Sequence, residues 1–388
     1  MNEELDAHLN RLVAEGAVPQ VAGLVCRADE VLYEGAAGDS GLGGPMNSDI
    51  VGAIMSMTKA VTGVAAMQLV EQGRLSLDAP AGEVCPYLSE VQVLEGYTAA
   101  GDPVLRPPRS PVTLRNLLTH SSGFVYEIWN DTFADYLQRS ATPSIVTLRK
   151  AALRVPLMFD PDSRWEYGIG IDWAGQMVEA VSGQTLGEYF GEHITGPLGM
   201  HSTAFTPTDD MLARKMSISI RTDDGFVVPP EEDAPSGFEP EFEMGGGGLL
   251  STVRDYGRFV RMLLGGGQLE GTRILEAETV AQMASNQMGD LRVTPLPTSA
   301  PEMSCDAEFF PGDEKSWGLT FQINETPTWT GRPAGTLMWA GLANSYFWVD
   351  LTNDLAGVFM SQFFPFADPG VVNGLYQFEK IIYDSFNR

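Results

Sequence analysis

Apolar and polar positions alternate through VAGLVCRADEVLYEGAAG, residues 21–38, on either side of Ala28-Asp29-Glu30, and the pattern predicts a β-hairpin. Ahead of it, MNEELDAHLNRLVAEG has the spacing of an acidic amphipathic helix. The period changes over residues 57–72. There Val61, Val64, Ala65 and Leu69 fall at helical spacing before Gly73, a residue suited to ending a helix. Ser56 then belongs to the first turn of that helix.

From 74 to 244 the chain reads as helix and loop. Thr113 is placed to cap TLRNLLTH, Ser144 to cap IVTLRKAALRV, and IDWAGQMVEAVSG ends at Gly183. Two Pro-rich and acidic stretches, RPPRSP and PPEEDAPSGFEPEFE, read as surface excursions or site walls. Beyond Gly245, helices start near Thr252 and Glu276. Four strand-like runs follow, WGLTFQIN, GTLMWAG, NSYFWVDL and LAGVFMSQFF, and a last helix spans Gly370 to Phe386. Strands at both ends with helices between predict an α/β (α+β) fold: a sheet domain built from residues 1–73 and 245–388, with 74–244 inserted as a helical and loop domain.

Charge narrows the partners. Acidic residues outnumber Lys and Arg by 51 to 24, for a formal charge of −27 spread along the chain, and such a field repels phosphate backbones and anionic membranes. Nucleic acid and membrane are therefore not expected, and a neutral or cationic small molecule is. With 44% hydrophobic residues the chain has ample core. Cys26, Cys85 and Cys305 are too few and too far apart for a disulfide framework or a zinc site. No signal peptide or transmembrane span is legible, so a cytoplasmic protein is expected. An exposed apolar surface would support a homodimer, though no motif demonstrates one.

The candidate chemistry starts at SMTK, residues 56–59. A serine alcohol is a weak nucleophile without a neighbouring base, and on a helix positions i and i+3 share a face, so Lys59 can approach the Ser56 hydroxyl. The helix N-terminus disfavours a protonated lysine there and favours a developing oxyanion. Alone, Ser-x-x-Lys is a weak signal.

Its surroundings strengthen it. SMTKAVTGVAAMQLVEQGRLSLDAP, LLTHSSGF, PLGMHST and GGGGLLSTVRDYGRF, in this order, resemble the signatures of the serine β-lactamase and penicillin-binding superfamily, in particular its family VIII carboxylesterases. The resemblance implies a β-lactamase-like fold with an antiparallel sheet flanked by helices. It also implies that WEYGIG supplies a second catalytic residue, Tyr167, which with Lys59 as proton partner would deprotonate Ser56. By the same match Trp339-Ala340-Gly341 stands where β-lactamases carry Lys-Thr-Gly, and the backbone N–H of Leu342 would join that of Ser56 as oxyanion hole.

Two departures bear on substrate. Trp339 replaces the anion-binding lysine and Ile169 stands where a β-lactamase has asparagine, so an uncharged ester is favoured over a β-lactam or peptide. The expected enzyme is a serine carboxylesterase acting on small, short-chain esters, with no cofactor and no metal, leaving room for weak β-lactam hydrolysis. An acyltransferase or amide hydrolase of the same superfamily, and a non-catalytic binding protein on this scaffold, are the alternatives.

Other features have plainer readings. Gly-Asp-Ser-Gly at 38–41 is turn chemistry, so Ser40 is not the nucleophile. His120 is expected to hold structure by hydrogen bonding, and His8, His193 and His201 lack metal-like spacing. Gly245–Gly248 lack the Gly-Lys-Ser/Thr of a phosphate loop and read as close backbone packing. Phe124, Tyr126 and Trp129 are placed either to line an acyl or alcohol pocket or to pack the lobe.

Overall fold

The computed structural model describes residues 1–230 and 239–386; residues 231–238 of the PPEEDAPSGFEPEFE stretch lie outside it. Seven strands matter to the site. They are β1 (Gln20–Cys26), β2 (Val31–Gly38), β3 (Lys315–Trp317), β4 (Gln322–Asn324), β5 (Leu337–Gly341), β6 (Ser345–Asp350) and β7 (Leu355–Met360). They form one sheet in the order β3-β4-β5-β6-β7-β1-β2, antiparallel at every pairing. The two ends of the chain meet where β1 lies against β7, Gly23 opposite Phe359.

Six helices frame the sheet and the site: α1 (Asn2–Ala14), α2 (Thr58–Glu71), α3 (Leu114–Thr119), α4 (Gly170–Ser182), α5 (Val253–Leu264) and α6 (Pro369–Phe386). Adjacent residues of a strand face opposite ways. At Gly23 an added Cβ would meet the Phe378 ring of α6 at 2.7 Å, whereas the next residue, Leu24, lies where a Cβ on Gly257 of α5 would fall, at 2.8 Å. Helices therefore cover both faces. β1 is accordingly buried along its whole length, not on alternate residues. The hydrophobic core runs without a break from this sheet into the 74–244 region, and no described helix is long and apolar enough to cross a membrane.

Most local signals hold. Thr113 and Asn116 make a reciprocal capping box on α3, Thr252 caps α5 through the Asp255 N–H, and Gly183 ends α4 at φ +79°. Three expectations fail. The 74–244 region is not only helix and loop: it carries two antiparallel hairpins, Val93–Tyr97 with Pro103–Arg106 and Ser219–Thr222 with Gly225–Val227. IVTLRKAALRV is not a helix but two short turns, Ile145–Thr147 and Lys150–Leu153. Leu148 between them has φ +55°, its carbonyl accepts from the Glu241 N–H at 2.9 Å, and the Glu241 carboxylate accepts from the Lys150 N–H at 2.8 Å. A distant segment thus holds the backbone out of helix. WGLTFQIN is not one strand but the end of β3, a turn over 318–321 and β4: an added Cβ on Gly318 would collide with the Met283 carbonyl, and Thr320 stands at φ +81°.

Candidate active site

Ser56 sits in a 3₁₀ turn, Met55–Met57, that runs directly into α2. The residue before it, Met55, has φ +46°, a conformation non-glycine residues rarely adopt, so the turn is held from outside. The holds are identifiable. Ile54 N–H donates to the Leu249 carbonyl at 3.1 Å, Leu249 N–H to Thr58 Oγ1 at 3.1 Å, and Tyr256 Oη to the Met57 carbonyl at 3.0 Å. From the other side β5 closes in so tightly that a Cβ on Gly341 would collide with the Ile54 carbonyl oxygen. Ser56, Met55, Met244 and Leu342 remain partly exposed.

Lys59, one turn on, is fully buried. Its Nζ lies 3.0 Å from Ser56 Oγ, 2.9 Å from Tyr126 Oη and 2.5 Å from the Gly246 carbonyl oxygen, and 4.8 Å from the centre of the Tyr167 ring. Burial is the main cause that lowers its pKa, to about 7, and the charge of Asp172 opposes it. Asp172, in the first turn of α4, is itself buried, which raises its carboxyl above the usual range against the pull of Lys59.

Tyr167 shares a hydrogen bond with Ser56, and its Oη accepts from Trp339 Nε1 at 2.9 Å. Burial pushes its phenol above the ordinary value, outweighing those two bonds. An aromatic box fixes the ring: His120 at 4.5 Å, Trp339 at 4.8 Å, Tyr126 at 5.3 Å and Trp129 at 5.5 Å between centroids. His120 ends α3 at φ +58°, and its Nδ1 accepts from the Gly168 N–H at 3.3 Å, one residue past Tyr167. Its role is to hold the tyrosine loop. A Cβ on Gly168 would strike Phe124 and Val125 backbone, so only glycine lets the two loops touch.

With that geometry in hand, the whole chain can be placed among known proteins. The family model described as Beta-lactamase matches residues 5–380. The chain belongs to the beta-lactamase family. Among curated relatives it is 29% identical over 378 residues to an acyltransferase, calJ, of Penicillium decumbens, covering 94% of this chain and 88% of the relative. It is 32% identical over 359 residues to a lovastatin esterase of Penicillium rubens, covering 86% and 87%. Among solved structures, unliganded simvastatin synthase from Aspergillus terreus superposes with a TM-score of 0.85 at 26% identity, over 100% of this chain and 98% of that one.

In this beta-lactamase family chain, the structure brings Ser56, Lys59 and Tyr167 together and puts Gly341, beside Leu342, against the Met55–Met57 turn that carries Ser56. It does not set the expected substrate-binding residues in an open cleft. Trp339 and Ala340 are buried within β5, and the Trp339 indole N–H is engaged by Tyr167. Gly341 abuts Ile54. Phe124 is 1% exposed and stacks near Trp173, so it packs the lobe. Tyr126 is also buried, and its hydroxyl meets Lys59. Trp129 does line a cavity of about 530 Å³, with Arg164, Trp165, Leu291, Pro295 and Leu296.

Three contributors were missed from sequence: the hydroxyl of Tyr126 as a partner of Lys59, the Gly246 carbonyl, and Asp172. The first two depend on long-range contacts that no spacing encodes. Asp172 carried a faint signal, an acid in the otherwise apolar first turn of α4 that follows Tyr167 closely.

Proposed function

We propose that the protein is a serine ester hydrolase and acyltransferase, in which Ser56 takes an acyl group from a carboxylic ester and passes it to water or an alcohol. The observation that carries this reading is Lys59 Nζ, completely buried and 3.0 Å from Ser56 Oγ. A neutral amine has two N–H donors and one lone pair, and three partners surround it. The Gly246 carbonyl can only accept, so it takes one N–H; Tyr126 Oη takes the other, and the lone pair faces Ser56. Trp339 N–H donates to Tyr167 Oη, which leaves the Tyr167 O–H proton free to be given to a leaving group.

This arrangement exchanges the roles that the sequence suggested. Burial lowers Lys59 and raises Tyr167, so Lys59 is the base and Tyr167 the acid. Ser56 Oγ attacks the ester carbonyl as its proton moves to Lys59, and the oxyanion rests on the N–H groups of Ser56 and Leu342. As the tetrahedral adduct collapses, Tyr167 gives its proton to the departing alkoxide and is reprotonated from Lys59. Water or a second alcohol then repeats the steps in reverse on the acyl-Ser56.

The substrate is an uncharged ester. Trp339 takes the place of a carboxylate-binding lysine and its one donor is engaged, while Ile169 is apolar and buried. Relatives named as acyltransferases and as a lovastatin esterase support acyl transfer to either acceptor. Turnover of p-nitrophenyl butyrate with added methanol tests it: methyl butyrate and butyrate should both form, and neither with Ser56→Ala. Stable acylation without release would instead fit a binding protein.

A further inference from the structure

Nothing above explains why a full carboxylate lies beneath the site. Asp172 is 0% exposed; its Oδ1 accepts from the Gly246 N–H at 2.8 Å, while Oδ2 is buried without a hydrogen-bond partner. The carbonyl of the same Gly246 residue accepts from Lys59 at 2.5 Å. Gly246 therefore bridges acid and amine. It can do so only as glycine, since a Cβ there would stand 2.5 Å from Asp172 Oδ2. The neighbouring Gly245 carbonyl accepts from Thr62 Oγ1, one turn along α2, at 2.7 Å, so the glycine run is clamped to the helix that bears Lys59.

If Asp172 served only to bind the Gly246 N–H, an asparagine or serine would do so without the cost of burying a charge. We infer that Asp172 is a positioning residue for the reaction: through Gly246 it fixes Lys59 Nζ beneath Ser56, and its charge sets the pH at which that amine becomes free to act as base. This rests on the reading of Ser56 and Lys59 given above. The other titratable groups facing Lys59 are the phenols of Tyr126 and Tyr167 and the imidazole of His120. Burial keeps all three neutral, raising the phenols and lowering the imidazole. Asp172 is thus the negative charge that this surrounding supplies. Its removal should make Lys59 easier to deprotonate.

The test is the rate at which a fluorophosphonate labels Ser56, followed from acid to neutral pH in the wild type, Asp172→Asn and Asp172→Ser, with thermal melts on each. Serine is included because it keeps an acceptor for Gly246 in less space, should asparagine not fold. Folded variants should label along a profile whose acid limb lies lower by roughly one pH unit. At a pH one unit below the wild-type limb they should reach a several-fold larger fraction of their own plateau. A limb that stays in place or rises, or a folded variant that labels at no pH, would overturn the inference. If Ser56→Ala is labelled as fast as the wild type, the reading of the site itself falls; if labelling needs Ser56 but the limb does not move, only the role of Asp172 falls.

Discussion

Replacing Trp339 by phenylalanine removes one hydrogen-bond donor and leaves most of a buried ring. That donor, Nε1–H, lies 2.9 Å from Tyr167 Oη, the oxygen that in the proposed reaction gains negative charge as Tyr167 protonates the leaving group. A hydrogen bond to a charged oxygen contributes about 1.5–3 kcal/mol, and each 1.4 kcal/mol is tenfold in rate, so kcat/KM should fall about 10- to 150-fold. Trp317 provides the control. It packs 4.6 Å from Trp339 and 5.0 Å from His120, yet its own indole N–H has no partner. Trp317→Phe trims a similar volume without taking a donor, so its rate should stay within about threefold while both variants lose a similar ~1–3 kcal/mol of stability. Steady-state turnover of a p-nitrophenyl ester, beside thermal melts, separates the two effects. Equal rate losses in the two variants, or an unchanged Trp339→Phe, would refute the idea that this bond stabilises charge on Tyr167.

Three further outcomes follow from the geometry. Since the base must be unprotonated and burial lowers Lys59 to about 7, kcat/KM should rise with pH to a plateau above that value. No alkaline loss should set in below the ordinary tyrosine range, because Tyr167 is raised; a pH-rate profile checks both limbs. Gly341→Ala would drive its Cβ into the Ile54 carbonyl and shift the Ser56 turn, and a displacement of about 1 Å should cost on the order of 100-fold in kcat, measurable by single-turnover kinetics. Away from the site, Arg332→Met strands Glu379, fully buried on α6 and otherwise bonded to Thr330. The loss should be about 3–5 kcal/mol by urea unfolding, with much of it recovered when Glu379→Leu is added.

How far the sequence reached can be seen residue by residue. The β1–β2 hairpin, the α3 cap at Thr113 and the α4 stop at Gly183 follow from local chemistry, and each was legible. So was the Ser56–Lys59 pair, because i and i+3 on a helix meet whatever surrounds them. What failed depended on partners far along the chain. Glu241 keeps residues 145–153 from helix, and Met283 fills the space beside Gly318. The same holds at the site, where the burial of Lys59 and Tyr167 comes from α2, α4 and the aromatic box together. Trp339 was expected among the substrate-binding residues, but it is buried in β5 with its indole N–H engaged by Tyr167.

The central claim is that an acyl group rests on Ser56. Mass spectrometry of the protein quenched within the first turnovers of p-nitrophenyl butyrate, followed by peptide mapping, tests it directly. The account predicts a butyryl increment on the peptide carrying Ser56, absent in Ser56→Ala; undiminished ester turnover by Ser56→Ala, or an acyl group carried on another residue, would contradict it.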